Sequence, residues 1–292
     1  MTNKLKLWRL GFLDCGELAY ILVSSLIKRK HVDPKNIWVT ETKKTVHSVW
    51  KKACPDINVL ENAYEVIADV DIVFLGFPAS SLNTDLREAI LPQISREQPA
   101  RYKLFVSLIP GVTCAELGKK IADFGIPLPS LQIVRFMPNM TIRSSSGLTL
   151  YCRGEFIAES GLDSVIELFS HFGMVHKIDE SLMDFAASAP VLYGPAFVYL
   201  MMDGMMDGAV KNNLPRDLAI KFVAQIFAGA ANMVLSTGKH PGILKDEACS
   251  SEGPAIEGIY ELESGCVRAS IIDAIDAAVR KLKQQNLNGR KA

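Results

Sequence analysis

Up to Ile178 the chain alternates short hydrophobic runs with amphipathic stretches, and beyond that point the alternation stops. The runs Leu7–Leu13, Ile37–Thr40, Ile72–Gly76, Leu104–Leu108, Leu131–Phe136, Leu148–Cys152 and Val175–Ile178 have the length and composition of strands. Between them Glu17–Lys30, Asn62–Ala68, Thr84–Leu91, Ala115–Phe124 and Gly161–Phe172 carry helical periodicity. Strand–helix alternation implies βαβ crossovers and a mostly parallel, doubly wound sheet. Runs such as DIVFLGF are apolar at nearly every position, the pattern of strands buried on both faces. From Asp179 onward only helical stretches follow: Ser181–Ser188, Pro195–Asn212, Arg216–Thr237, Ile256–Ser264 and Val267–Gln285. The expected fold is α/β: an N-terminal Rossmann domain over 1–179 and an all-α domain over 180–292.

Composition narrows the function. The 292 residues are 49% hydrophobic and 22% charged with zero formal net charge, an ordinary balance for a soluble globular protein. No basic block supports nucleic-acid binding. No apolar leader precedes the first strand, so a cytoplasmic location is expected. Phe185–Met202 has no charged residue, but Pro190 and Gly194-Pro195 interrupt it; it reads as a helix at a subunit interface, with no membrane partner expected. The six cysteines are scattered without Cys-x-x-Cys, as reduced thiols are, and no metal site is expected. His240, in Gly-Lys-His-Pro, reads as a loop or cap residue. MMDGMMDG sets Gly204 and Gly208 on one helix face and Asp203 and Asp207 on the next; it reads as a closely packed glycine stripe beside a solvated acidic one.

The sharpest chemical signal is the first strand–turn–helix. The dinucleotide fingerprint Gly-x-Gly-x-x-Gly/Ala stands here as Asp14-x-Gly16-x-x-Ala19. Gly16 lets the backbone approach a pyrophosphate and Ala19 lets helix pack on strand. Asp14 sets a carboxylate where an anion would bind.

Further motifs follow in order: VRFMPN (Val134–Asn139), IDESLMD (Ile178–Asp184), the helix Leu214–Leu235, and HPGILKDEACSSEGPAIEGIYELESGCVRASI (His240–Ile271). With this ordered set the chain resembles the pyrroline-5-carboxylate reductase family over nearly its full length. The resemblance implies homodimers, often assembled further, and hydride transfer from NADPH or NADH to the C=N of 1-pyrroline-5-carboxylate or a related cyclic imine. It places Gly11, Asp14, Cys15, Gly16, Glu17 and Leu18 along the pyrophosphate and Glu41, Thr42 and Lys43 at the adenosine ribose. Glu41 would suit a 2′-hydroxyl and Lys43-Lys44 a 2′-phosphate, so NAD and NADP both stay open. Asn62 matches an asparagine near the adenosine, and doubles as a helix cap. Phe77-Pro78 stand where the family has Lys-Pro. Asn139 joins the cofactor set, although with Arg135 it reads equally as fixing the loop after its strand.

The departures gather at the substrate turn. The family's Ser-Gly-Ser-Gly-Pro-Ala is here Val191–Ala196, and its Ser-Pro-Gly-Gly-x-Thr is Ser250-Ser251-Glu252-Gly253-Pro254-Ala255. Pro254 has no N–H for a substrate carboxylate, Ala255 has no hydroxyl for the ring nitrogen, and Glu252 adds a negative charge beside Gly253. These changes predict weak reduction of pyrroline carboxylate. They leave two readings: a reductase with this degenerate turn, or a catalytically impaired relative acting as a nucleotide-binding or scaffold protein. A β-hydroxyacid dehydrogenase is disfavoured because Lys211 lacks an asparagine three residues on.

Overall fold

The computed structural model describes residues 8–14, 16–40, 50, 52–79, 81–94, 103–125, 131–155 and 157–289. In chain order they form β1 (Leu10–Leu13), α1 (Gly16–Lys28), β2 (Ile37–Thr40), β3 (Asn58–Leu60), α2 (Ala63–Asp69), β4 (Ile72–Leu75), α3 (Leu82–Ile94), β5 (Leu104–Ser107) and α4 (Cys114–Ala122). Next come β6 (Gln132–Pro138), β7 (Gly147–Arg153), α5 (Glu159–Ser170) and β8 (Gly173–Lys177). The strands make one sheet of order β3-β2-β1-β4-β5-β6-β7-β8. The first six in that order run parallel, β7 is antiparallel to β6, and β8 is parallel to β7. The short turn through Met140–Ser144 is what reverses the chain between β6 and β7.

The apolar strands explain the stacking. β1, β4 and β5 are buried at every position, as their unbroken hydrophobic runs require. Phe12 stacks on Phe74 at 4.4 Å, and Phe169 of α5 packs against both Phe74 and Phe136. Each such ring, taken fully out of water, contributes roughly 1.5–3 kcal/mol. Asn58–Leu60 is a strand the hydrophobic pattern does not reveal, because three residues are too few to show alternation. The first strand begins at Leu10, three residues later than its hydrophobic run suggests.

Two compact units emerge. One contains the described residues up to Ala187 together with the end of the last helix from Leu282; the other is Ser188–Lys281. The first unit passes position 179 because Glu180 and Asp184 are hydrogen-bonded to Arg135 of β6. The second unit is helical: α6 (Gly194–Lys211), α7 (Arg216–Thr237), α8 (Pro241–Glu247), α9 (Pro254–Ser264) and most of α10 (Val267–Gly289). Ahead of α6, Ala189–Tyr193 takes the wider π geometry; Pro190 has no N–H to continue an α-helical ladder. His240 caps α8, its Nδ1 accepting from the Gly242 N–H at 3.1 Å. The glycine stripe differs from its reading: a Cβ at Gly204 or Gly208 would meet nothing within 4 Å in this chain. Of the neighbouring acids, Asp207 pairs with Arg216 at 2.7 Å.

Candidate dinucleotide and substrate sites

After β1, aspartate stands at the position of the fingerprint's first glycine. Asp14 sits in the left-handed region at φ 48° and Gly16 at φ 53°. Aspartate is one of the few side chains that visits this region readily, which is how it replaces glycine here. Asp14 N–H donates to Thr40 Oγ1 at 3.1 Å, fastening the turn to the end of β2. A Cβ built on Gly16 would touch nothing within 4 Å among the described residues, which leave the space above this backbone open at the start of α1. Open space over a left-handed glycine at a helix N-terminus fits the approach of a pyrophosphate. Glu17 next to it is exposed and paired with Arg143, which brings a guanidinium to the first turn of α1.

Beside this loop, at the carboxyl ends of β1, β2 and β4, lies a cleft of about 510 Å³. Asp14, Asn62 and Phe77 line it together with Thr40, Glu61, Ala63, Tyr64, Asp85 and Glu88. Asn62 occupies the cap position of α2 without a capping hydrogen bond; its Nδ2 donates to Glu65 Oε1 at 3.5 Å. Phe77 is buried and Pro78 exposed. Four carboxylates and no lysine or arginine stand among the described lining residues.

Other expected residues lie elsewhere. Gly11 is buried in β1, where a Cβ would come within 2.7 Å of Val66 Cγ1; its smallness serves the packing of α2 on the strand, and it is not among the cleft's lining residues. Leu18 is half-buried and packs against the core. Asn139 is buried, and its Oδ1 accepts from Thr141 Oγ1 at 2.7 Å and from the Leu148 N–H at 3.2 Å, so its side chain holds the turn between β6 and β7. Cys15, Glu41, Thr42 and Lys43 lie outside the described residues.

Arg135 is the charged hub that sequence reading undervalued. Its side chain is 2% exposed and donates through Nη2 to Asp184 Oδ1 at 2.5 Å and through Nη1 to Glu180 Oε1 at 3.1 Å. Burial opposes its charge, but the Asp184 and Glu180 hydrogen bonds more than offset this and hold its pKa up. The same carboxylates accept the backbone N–H groups of Cys114, at 2.7 Å, and Gly111, at 3.2 Å. Glu180 and Asp184 are spaced i, i+4 in the junction motif, and that pairing of acids was the available signal for a buried cation opposite.

The turn before α9 holds the substrate residues the resemblance implies. Glu252 is exposed and left-handed at φ 60°, a conformation glycine takes without strain. Gly253 caps α9 and turns its own N–H back to Ser250 O at 3.2 Å. Pro254 is the first helical residue, so the first N–H intrinsically free for a ligand belongs to Ala255. The helix start still presents backbone donors, one fewer than a non-proline turn would give.

A doubly wound sheet with a glycine-hinged phosphate loop, followed by a separate all-helical unit, defines the class: a Rossmann-type dinucleotide-binding protein with a helical second unit. Comparison with known proteins narrows this. The family model "Pyrroline-5-carboxylate reductase dimerisation" matches residues 180–285. Pyrroline-5-carboxylate reductase of Escherichia coli (strain K12) is 31% identical over 278 residues, covering 94% of this chain and 96% of that protein. Pyrroline-5-carboxylate reductase 2 of Homo sapiens is 29% identical over 274 residues, covering 94% and 82%. The crystal structure of Plasmodium falciparum pyrroline carboxylate reductase with NADP bound superposes with a TM-score of 0.80 at 24% identity, covering 97% of this chain and 99% of that one. The chain belongs to the pyrroline-5-carboxylate reductase family.

Proposed function

We propose that the protein reduces the C=N bond of 1-pyrroline-5-carboxylate to give L-proline. NADH or NADPH supplies the hydride. The observation that carries this is the open, left-handed Gly16 backbone at the start of α1, beside a cleft of about 510 Å³, in a chain of this family. Gly16 and the first turn of α1 would receive the pyrophosphate; Thr40, Asn62, Tyr64 and Phe77 would line the adenosine side. The turn Glu252–Ala255 would receive the substrate carboxylate through the Ala255 N–H and the positive end of the α9 dipole. Pro254 and the acidic Glu252 make that hold weak, and Ala255 gives the ring nitrogen no hydroxyl. Catalysis of this kind is largely orientation of substrate against cofactor, so the loss falls on kcat/KM.

The test is the disappearance of reduced cofactor with proline formed in equal amount, measured for NADH and NADPH. Proline formation that depends on the protein supports the reading. No proline with either cofactor, from protein that binds both, overturns it in favour of a nucleotide-binding scaffold.

The same reading includes a homodimer built from α6 and α7. Leu200 is 74% and Leu235 67% exposed in the single chain, and Tyr199, Phe222 and Ile226 are exposed too. The stretches Glu180–Lys211 and Arg216–Thr237 are apolar and long enough to cross a membrane by length and composition. The dimerisation family model covers both, and supports a second copy of this chain as what covers them. A cytoplasmic location is part of the proposal, supported by the free thiols of Cys54, Cys114, Cys152, Cys249 and Cys266.

A further inference from the structure

Two cysteines that are 38 positions apart in sequence (152 − 114) meet beside the Arg135 hub. Cys114 is the first residue of α4 and Cys152 lies in β7, opposite Arg135 in the strand register. Both are buried, and their sulfurs lie within 4.8 Å of each other and of a Glu180 carboxylate oxygen. The chain is shaped to allow this approach. A Cβ at Gly154, just past β7, would stand 2.8 Å from Ile133 O and 3.4 Å from Cys114 Cβ, so glycine there lets the start of α4 settle on the strand end. Glu180 accepts the Cys114 N–H and thereby fixes the direction of the first turn.

We propose that Cys114 and Cys152 are an oxidation-responsive pair that closes to an intramolecular disulfide. The site favours this product over the alternatives its groups allow. A cation held by the two sulfurs and Glu180 would need both thiols ionised and would sit beside the Arg135 guanidinium, already hydrogen-bonded to Glu180. The disulfide is neutral and creates no buried charge. Ionisation is also what the surroundings resist: the adjacent Cys152 sulfur, burial and the nearby Glu180 all raise the Cys114 pKa. Because thiolate is the attacking form, closure is slow and calls for a small oxidant able to reach a buried sulfur. Hydrogen peroxide is of that class. One thiol takes an oxygen from it as a sulfenic acid, breaking the O–O bond and releasing water. The second sulfur displaces that oxygen as a second water, and two S–H bonds give way to one S–S bond. The link ties the start of α4 to β7 at the place where Glu180 and Asp184 already hold the α4 loop.

The experiment uses the full-length protein, reduced and then exposed to hydrogen peroxide. Remaining thiols are alkylated in denaturant, and the digest is read by mass spectrometry without reductant. The expected result is the Cys114 peptide joined to the Cys152 peptide, two hydrogens lighter than the sum and separated by reductant. Cys152→Ser protein treated in the same way yields no cross-link from Cys114. Recovery of both residues alkylated after prolonged exposure, each oxidised alone to a sulfinic acid, or either linked to a different cysteine, overturns the proposal.

Discussion

The backbone N–H of Asp14 donates to Thr40 Oγ1 at 3.1 Å, and this bond holds a left-handed aspartate in the turn where a dinucleotide loop ordinarily has glycine. Asp14 lines the cleft just ahead of the start of α1. Replacing Asp14 with Gly keeps the turn and removes the charge. NADH and NADPH should bind tighter by roughly 1–2 kcal/mol, about five- to thirtyfold, as read by quenching of tryptophan fluorescence. Unchanged affinity would show that the carboxylate does not face the pyrophosphate.

Removing Arg135 strands two carboxylates. Arg135→Met should lower stability by roughly 3–5 kcal/mol in urea denaturation, the usual cost of breaking a buried pair from one side. Adding Glu180→Gln and Asp184→Asn should recover most of that loss, because the uncompensated charge goes with them. A single variant as stable as the parent would remove Arg135 from its place as a hub.

Histidine supplies the acid sensitivity. His171 stacks on His31 with ring centres 3.6 Å apart, and its Nε2 is buried without a hydrogen-bond partner among the described residues. Burial, then the charge on His31, lowers its pKa below the ordinary value of 6.5; Arg29 acts in the same direction and Glu167 against it. The unfolded chain then binds a proton that the folded chain refuses. Stability should fall as pH drops below about 6.5 and continue falling through the lowered folded-state value. His171→Phe should flatten the decline between pH 7 and pH 5 in thermal melts. An equally steep decline in the variant would assign it to other groups.

The exposed faces of α6 and α7 should be covered in solution. Light scattering at micromolar concentration is expected to give at least twice the chain mass. Ile226→Glu with Leu235→Glu should reduce it to one chain mass while circular dichroism stays helical. A monomeric parent protein would refute the interface.

The strands β1, β4 and β5 were legible because they are buried on both faces and so are written as unbroken apolar runs; the strand Ile37–Thr40 and the helix Arg216–Thr237 carry the same bounds in sequence and structure. Asn58–Leu60 was not legible, since three residues give alternation no room, and the short helix Pro241–Glu247 was not read either. At the site, Asp14 and Gly16 could be placed from a local motif and Asn62 from the family resemblance. Thr40, Glu61, Asp85 and Glu88 could not, because only the fold brings the end of β2, the residue after β3 and the first turns of α3 to one cleft. Arg135 meets Asp184, 49 positions away, through the return of the chain after β8, and a one-dimensional pattern records no such distance. Gly11 reads like a loop glycine but is a packing glycine, since its neighbours are Val66 of α2 and Val70 just past that helix, far along the chain.

The substrate turn carries the central claim, that this is a reductase whose hold on the substrate carboxylate is weakened at Pro254 and Ala255. The direct measurement is kcat/KM for 1-pyrroline-5-carboxylate in the parent protein and in Pro254→Gly with Ala255→Thr. A regained hydrogen bond to a charged group is worth about 1.5–3 kcal/mol, on the order of ten- to hundredfold. The account predicts slow proline formation by the parent and at least a tenfold rise in kcat/KM in the double variant. Efficient turnover by the parent, with no gain or a loss in the double variant, would contradict it.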